Sequence, residues 1–91
     1  MLFTLHTTKQ FEKDYKLCKK RSLDMKLINT TFELLEQKGS LPPRYKTHKL
    51  KGNYSNFLEC HIQPDWLLIW FCNAAKKEIH LIRTGSHSDL F

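Results

Sequence analysis

The sequence predicts an α+β domain in which an N-terminal strand and an antiparallel helical hairpin pack on a twisted, mainly antiparallel sheet of four to five strands. Two patterns support this class. Apolar residues recur at helical spacing between about residues 9 and 37, and from residue 57 apolar and polar residues alternate. A chain of 91 residues that is 41% hydrophobic can bury one core. We therefore expect residues 1–91 to form a single domain.

The first part of the chain predicts a short strand and two helices. Residues 1–6 alternate weakly, and Thr7 with Gln10 has the form of a capping box that opens a helix over about residues 9–21. A second helix is predicted over about residues 24–37, and the link is so short that the two helices should lie antiparallel. The expected apolar faces are Phe11, Tyr15 and Cys18 in the first helix and Met25, Ile28, Phe32 and Leu35 in the second.

The rest of the chain predicts an antiparallel meander. Gly39 is well placed to end the second helix, and a basic, polar segment covers residues 44–51. The expected strands are residues 57–63, 66–72 and 78–84, joined by a turn at Pro64–Asp65 and a loop at residues 73–77, with a short tail over residues 86–91.

The charge balance favours a polyanionic partner. Fifteen Lys and Arg residues against nine Asp and Glu residues give a net charge of +6, and a small basic domain attracts nucleic acid. The sequence has no recognisable signal peptide and no apolar run long enough to span a membrane, so we expect a cytoplasmic protein without membrane contact. The three cysteines match no zinc-binding spacing and are expected to be reduced and buried.

Histidines carry the strongest indication of chemistry. Imidazole suits both proton transfers of metal-free RNA cleavage, because its ordinary pKa of about 6.5 populates both protonation states near neutrality. His48, His61 and His87 fall near the ends of loops or strands. Arg83 ends the last predicted strand, and its guanidinium group matches phosphate oxygens. The pattern favours acid–base cleavage of a phosphodiester.

Two neighbouring residues extend this hypothesis. Asp65 could orient an imidazole or act as a base itself, and Trp66 could offer a face on which a nucleobase stacks. His6 and His80 are instead expected to be ordinary surface or hydrogen-bonding residues, because one lies in the first strand and the other has apolar neighbours.

Three segments make a family resemblance recognisable. They are YKTHKLKG at residues 45–52, ECHIQPDWLLI at residues 59–69 and RTGSHSDLF at residues 83–91. Together with FEKD at residues 11–14, they resemble the YafQ branch of the RelE-like toxins over the whole chain. The resemblance implies the RelE-like microbial RNase fold. It also implies the toxin half of a bacterial type II toxin–antitoxin pair that cuts messenger RNA in the decoding site of the ribosome.

The resemblance also implies roles for individual residues. The implied catalytic residues are His48, His61, Asp65, Arg83 and His87, and the implied RNA contacts are Lys49, Lys51, Trp66 and Phe91. In the family the last histidine is favoured as general acid, the earlier histidines and the aspartate are linked to activating the 2′-hydroxyl, and the arginine stabilises the phosphorane. No metal or cofactor is implied, and the product should carry a 2′,3′-cyclic phosphate or a 3′-phosphate.

The expected partners and one alternative follow from the same resemblance. A cognate antitoxin would wrap the toxin and bind operator DNA, which the toxin itself would not touch. One alternative is a toxin of the same fold that poisons DNA gyrase through a protein surface, and such relatives do not need this set of histidines. The other is a non-catalytic RNA-binding or regulatory module, which net charge alone would motivate.

Overall fold

A computed structural model describes residues 2–52 and 56–91. In chain order its elements are β1 (Thr4–Thr7), α1 (Lys9–Lys20), α2 (Met25–Lys38), a 3-10 turn (Pro43–Tyr45), β2 (His48–Lys49), β3 (Leu58–Gln63), β4 (Trp66–Asn73), β5 (Glu78–Gly85) and α3 (His87–Leu90). Among the described residues, no helix has the length and apolar character needed to cross a bilayer.

Within residues 2–52 and 56–91, five strands form one mixed sheet in the order β1-β5-β4-β3-β2. Strand β1 pairs with β5 in parallel, and the other three pairings are antiparallel. The prediction of an α+β fold with a mainly antiparallel sheet of four to five strands is therefore confirmed. The chain crosses from one edge of the sheet to the other through the helical hairpin, and it then returns strand by strand.

The helices cover one face of the sheet. Side chains of α1 and α2 share a core with alternate residues of β3, β4 and β5, among them Cys60, Leu68, Trp70 and Leu81. The helices run antiparallel, since Phe11 contacts Phe32 while Tyr15, one turn later, also reaches Asn29. Because side chains alternate along a strand, the residues between these core positions lie on the other face.

The helix ends differ in part from the prediction. Gly39 ends α2 in the left-handed conformation, with φ of 70°, as expected, and a Cβ atom there would collide with the ring of Phe3. The capping box predicted at Thr7 and Gln10 is wrong. Thr8 is the N-cap and its hydroxyl accepts a hydrogen bond from the amide of Phe11, because Thr7 is still paired in β1.

Besides the 3-10 turn, two short elements were not predicted from the sequence. Part of the segment at residues 44–51 forms the two-residue strand β2, which closes the sheet at its edge. The tail contains α3, opened by a true capping box between Ser86 and Asp89. Both are too short for a periodic pattern to be visible. The cysteines are free, and two of them, Cys18 and Cys60, are buried as expected, whereas Cys72 is only partly buried.

Candidate active site

Three imidazoles lie side by side on the sheet face opposite the helices. The centroids of the His48 and His61 rings are 6.2 Å apart, and those of His61 and His87 are 6.0 Å apart. His48 pairs with Glu59 across β2 and β3, and His61 lies two residues farther along β3, so both project from the same face. His87 reaches them from the first position of α3.

Asp65 orients the imidazole of His87 through hydrogen bonds. It lies in the tight turn between β3 and β4, and its Oδ1 accepts hydrogen bonds from the backbone amide of His87 at 3.0 Å and from His87 Nδ1 at 2.6 Å. The backbone amide and the ring of His87 both lower the pKa of Asp65 below its ordinary value. An ionised Asp65 fixes the proton of His87 on Nδ1, which leaves Nε2 directed at other groups.

The position of α3, and therefore of His87, depends on Asp89. Its carboxylate accepts hydrogen bonds from the backbone amide of Ser86 at 2.9 Å and from Arg21 Nη1 at 2.6 Å. Gly85 makes this possible, because a Cβ atom at that position would lie 2.9 Å from Asp89 Oδ2. The Arg21 guanidinium is the main cause that lowers the pKa of Asp89 to about 2.

This depressed pKa predicts a dependence of stability on pH. A carboxylate whose pKa is lower in the folded state stabilises the fold fully above its ordinary pKa of 3.8, and this stabilisation is lost as pH falls towards about 2. We expect Asp89→Asn to lower the melting temperature at pH 6 and to flatten its decline between pH 4 and 2. Thermal unfolding followed by circular dichroism tests this. If the melting temperatures of the variant and the original chain fell in parallel as the pH is lowered from 4 to 2, the prediction would be contradicted.

His48 is paired with a carboxylate that the sequence analysis missed. Glu59 is only 5% exposed, and its Oε1 lies 3.1 Å from His48 Nε2. The other ring nitrogen, Nδ1, lies 3.1 Å from the carbonyl oxygen of Lys46. Both ring nitrogens therefore face acceptors, and only a doubly protonated, positively charged ring can donate to both at once. The sequence did indicate that Glu59 could belong to the site, because alternation along the strand places Glu59 on the same face as His61.

His61 has a different arrangement. Its Nδ1 lies 3.3 Å from the carbonyl oxygen of Pro64, and a carbonyl can only accept. The proton of the neutral ring is therefore placed on Nδ1, and Nε2 carries a lone pair. Beside this ring is a groove of about 410 Å³ lined by Arg44, Lys46 and the end of β3. Its size suits a nucleotide, and its two cations suit a phosphate.

Arg83 lies on the same sheet face but is held by an acidic residue of α1. Asp14 is 7% exposed and accepts hydrogen bonds from Arg83 Nε at 2.7 Å and from Arg83 Nη2 at 3.3 Å. It also accepts a hydrogen bond at 3.2 Å from the backbone amide of Thr84, which lies beyond the part of β5 that pairs with β1. Asp14 therefore fixes the guanidinium at the edge of the sheet on the side of β5, with β4 between it and the imidazoles on β2 and β3.

The residues expected to contact RNA differ in their exposure and in the face of the sheet that they occupy. The prediction that Trp66 offers a stacking face is wrong, because its side chain is 2% exposed in the core and its indole donates to the hydroxyl of Thr84. Lys49 pairs with Leu58 and so projects from the face opposite the imidazoles. Phe91 follows α3 and is 62% exposed, and Lys51 is exposed beyond β2.

Part of this cluster has the composition of a metal site. The ligating atoms of His48, Glu59 and His61 all lie within 4.8 Å of one another. Two imidazoles and a carboxylate are a donor set that zinc and other late divalent metals accept. The residues therefore fit either acid–base chemistry or a bound cation.

Comparisons with known proteins agree on one family. The model of a family described as a bacterial toxin of a type II toxin–antitoxin system, YafQ, matches residues 3–91. The mRNA interferase toxin YafQ of Escherichia coli K12 is 37% identical to this chain over 83 residues, which cover 90% of this chain and 88% of that protein.

Solved structures give the same result. The toxin chain in the E. coli DinJ–YafQ toxin–antitoxin complex superimposes with a TM-score of 0.89 and 34% identity, covering 100% of this chain and 99% of that chain. A metal-bound toxin from Helicobacter pylori superimposes with a TM-score of 0.87 and 42% identity over 100% of both chains.

Proposed function

Because the chain belongs to the YafQ family of type II toxins and is therefore an endoribonuclease of the mRNA interferase class, we propose that it cuts messenger RNA in the ribosomal decoding site by metal-free acid–base catalysis. The observation that carries this proposal is the line of three imidazoles. Each ring has a different hydrogen-bonding partner, and that partner favours a particular arrangement of protons on the two ring nitrogens. Such a line supplies a base, an acid and a cation at one phosphate.

In this mechanism His61 is the general base. Its Nε2 takes the proton of the 2′-hydroxyl, and the oxygen attacks the neighbouring phosphorus. His87 is the general acid: it gives the proton on Nε2 to the departing 5′-oxygen while Asp65, which accepts from Nδ1, stabilises the protonated ring. The products are a 2′,3′-cyclic phosphate and a 5′-hydroxyl, and water can open the ring to a 3′-phosphate.

Charge on the phosphorane is balanced by cations. His48, whose ring nitrogens face Glu59 and a carbonyl oxygen, lies beside the base, and in its doubly protonated form it stabilises the added negative charge. Arg83 supplies a second positive charge from the side of β5, fixed in direction by Asp14. Asp65 is assigned to the acid rather than to the base, because its hydrogen bonds go to His87.

The remaining residues bind RNA and partners. We assign Phe91 to stacking on a base, and Lys51, Arg44 and Lys46 to phosphates, with Lys49 contacting nucleic acid from the edge of the sheet. Trp66 supports the site from the core through Thr84. The same family membership supports a cognate antitoxin as partner, as in the DinJ–YafQ complex. Only the antitoxin would contact operator DNA. The toxin would act in the cytoplasm as a single domain.

Mapping RNA ends tests the activity. Induction of the protein without its antitoxin should produce new 5′ ends within translated messenger RNA, with 2′,3′-cyclic phosphate or 3′-phosphate on the upstream fragments. A DNA-damage response with intact messenger RNA would instead favour a gyrase poison. Tight RNA binding without any new ends would favour a non-catalytic module.

The absence of a metal requirement is a separate prediction. On ribosomes programmed with messenger RNA, we expect the single-turnover rate to be unchanged after the toxin alone is treated with a chelator and exchanged into metal-free buffer. The treatment is confined to the toxin because ribosomes need Mg²⁺. A loss of rate that Zn²⁺ restores would show that His48, Glu59 and His61 hold a catalytic metal instead.

A further inference from the structure

A second cluster of titratable side chains lies near the opposite edge of the same sheet, on β1 and β5. His6 on β1 and His80 on β5 are direct partners in the parallel pairing, and Glu78 lies two residues before His80 on the same face. The sheet order places β4 between this pair of strands and β3, which carries His61. The cleavage mechanism uses none of the three residues.

The geometry of this cluster is convergent. The two imidazole rings are stacked with centroids 4.8 Å apart and planes inclined by 15°. Both rings turn Nε2 towards one carboxylate: His80 Nε2 lies 3.2 Å from Glu78 Oε1, and His6 Nε2 lies 3.7 Å from Glu78 Oε2. The side chains are 30–43% exposed, so an ion from solvent can reach them.

These distances are close to those of a coordination sphere. Ligands at about 2.0–2.1 Å from a tetrahedral zinc ion are roughly 3.3 Å apart. The ligating atoms of His6, Glu78 and His80 lie within 4.8 Å of one another, so a small rotation of these partly exposed side chains closes the remaining gap. Two neutral imidazoles and a carboxylate suit zinc and the neighbouring late divalent metals.

We propose that His6, Glu78 and His80 form a binding site for a late first-row divalent metal ion such as Zn²⁺, separate from the site of RNA cleavage. The ion would join β1 to β5 through side chains of residues 6 and 80, adding a link across the parallel pairing at the edge of the sheet. Its fourth position would be open to water. The site does not depend on the proposed mechanism.

The test must separate this site from the group formed by His48, Glu59 and His61. We therefore use the full chain carrying His48→Gln, which removes one ligand of that group. Zn²⁺ is titrated while the ring nitrogens of the histidines are observed by ¹H–¹⁵N NMR. We expect the signals of His6 and His80 to shift together and to saturate at one equivalent, with the amide exchange of residues 5–7 slowed.

The matched variant adds His80→Gln to the same background. We expect it to weaken Zn²⁺ binding by at least about 100-fold, since even the loss of partners outside the ligand shell weakens metal binding 10–100-fold. If that variant does not fold, Glu78→Gln replaces it. Zn²⁺ shifts confined to His61 and His87, or binding unaffected by either variant, would overturn the proposal.

Discussion

Replacing His87 with Gln should lower the single-turnover rate of messenger RNA cleavage by about 10²- to 10⁴-fold, the range that a positioned proton transfer contributes. Gln keeps the approximate size and polarity of the side chain but cannot release a proton to the departing 5′-oxygen. The side chain of His87 is 55% exposed, so folding should be unaffected. The rate is measured on ribosomes programmed with a defined messenger RNA.

A substrate with sulfur in place of the 5′-bridging oxygen distinguishes an acid from a residue that only positions the RNA. A thiolate leaves without protonation, so the defect of His87→Gln should largely disappear on that substrate. Ser88→Ala, an exposed change in the same short helix, serves as the control and should leave the rate within about twofold. A defect of equal size on both substrates would contradict the assignment.

Replacing His61 with Gln should lower the same rate by about 10²- to 10⁴-fold, because the amide cannot take the proton of the 2′-hydroxyl. Here the sulfur substrate should give no recovery, since the base acts on the attacking oxygen rather than on the leaving group. The two variants are thus expected to behave oppositely on one pair of substrates. Recovery of His61→Gln on the sulfur substrate would assign the acid to His61.

The pH dependence gives an independent measurement of the base. With imidazoles as both acid and base, the original chain should show a bell-shaped profile near neutrality. His61→Gln should lose the acidic limb, where protonation of the base slows the reaction, and keep the alkaline limb. A variant profile that keeps both limbs would place the base elsewhere, with His48 the next candidate because of its position beside His61.

The sequence by itself determined the class of fold, both long helices and the strands of the meander. These follow from hydrophobic periodicity and turn residues, which are local properties of the chain. The strand β2 and the helix α3 are not predicted, because two and four residues are too few to show a period. The cap predicted at Thr7 lies at Thr8, because Thr7 is still paired with β5, and that pairing is not visible in the local sequence.

Side-chain partners were decided by the tertiary structure. Asp65 and His87 are 22 residues apart, and β4, β5 and the intervening loop must fold before they meet. The burial of Glu59 against His48, the capture of Arg83 by Asp14 and the enclosure of Trp66 in the core likewise depend on how distant elements pack. Spacing in a sequence records which face of a strand a residue occupies, but solvent exclusion and long-range hydrogen bonds arise only when the strands and helices come together.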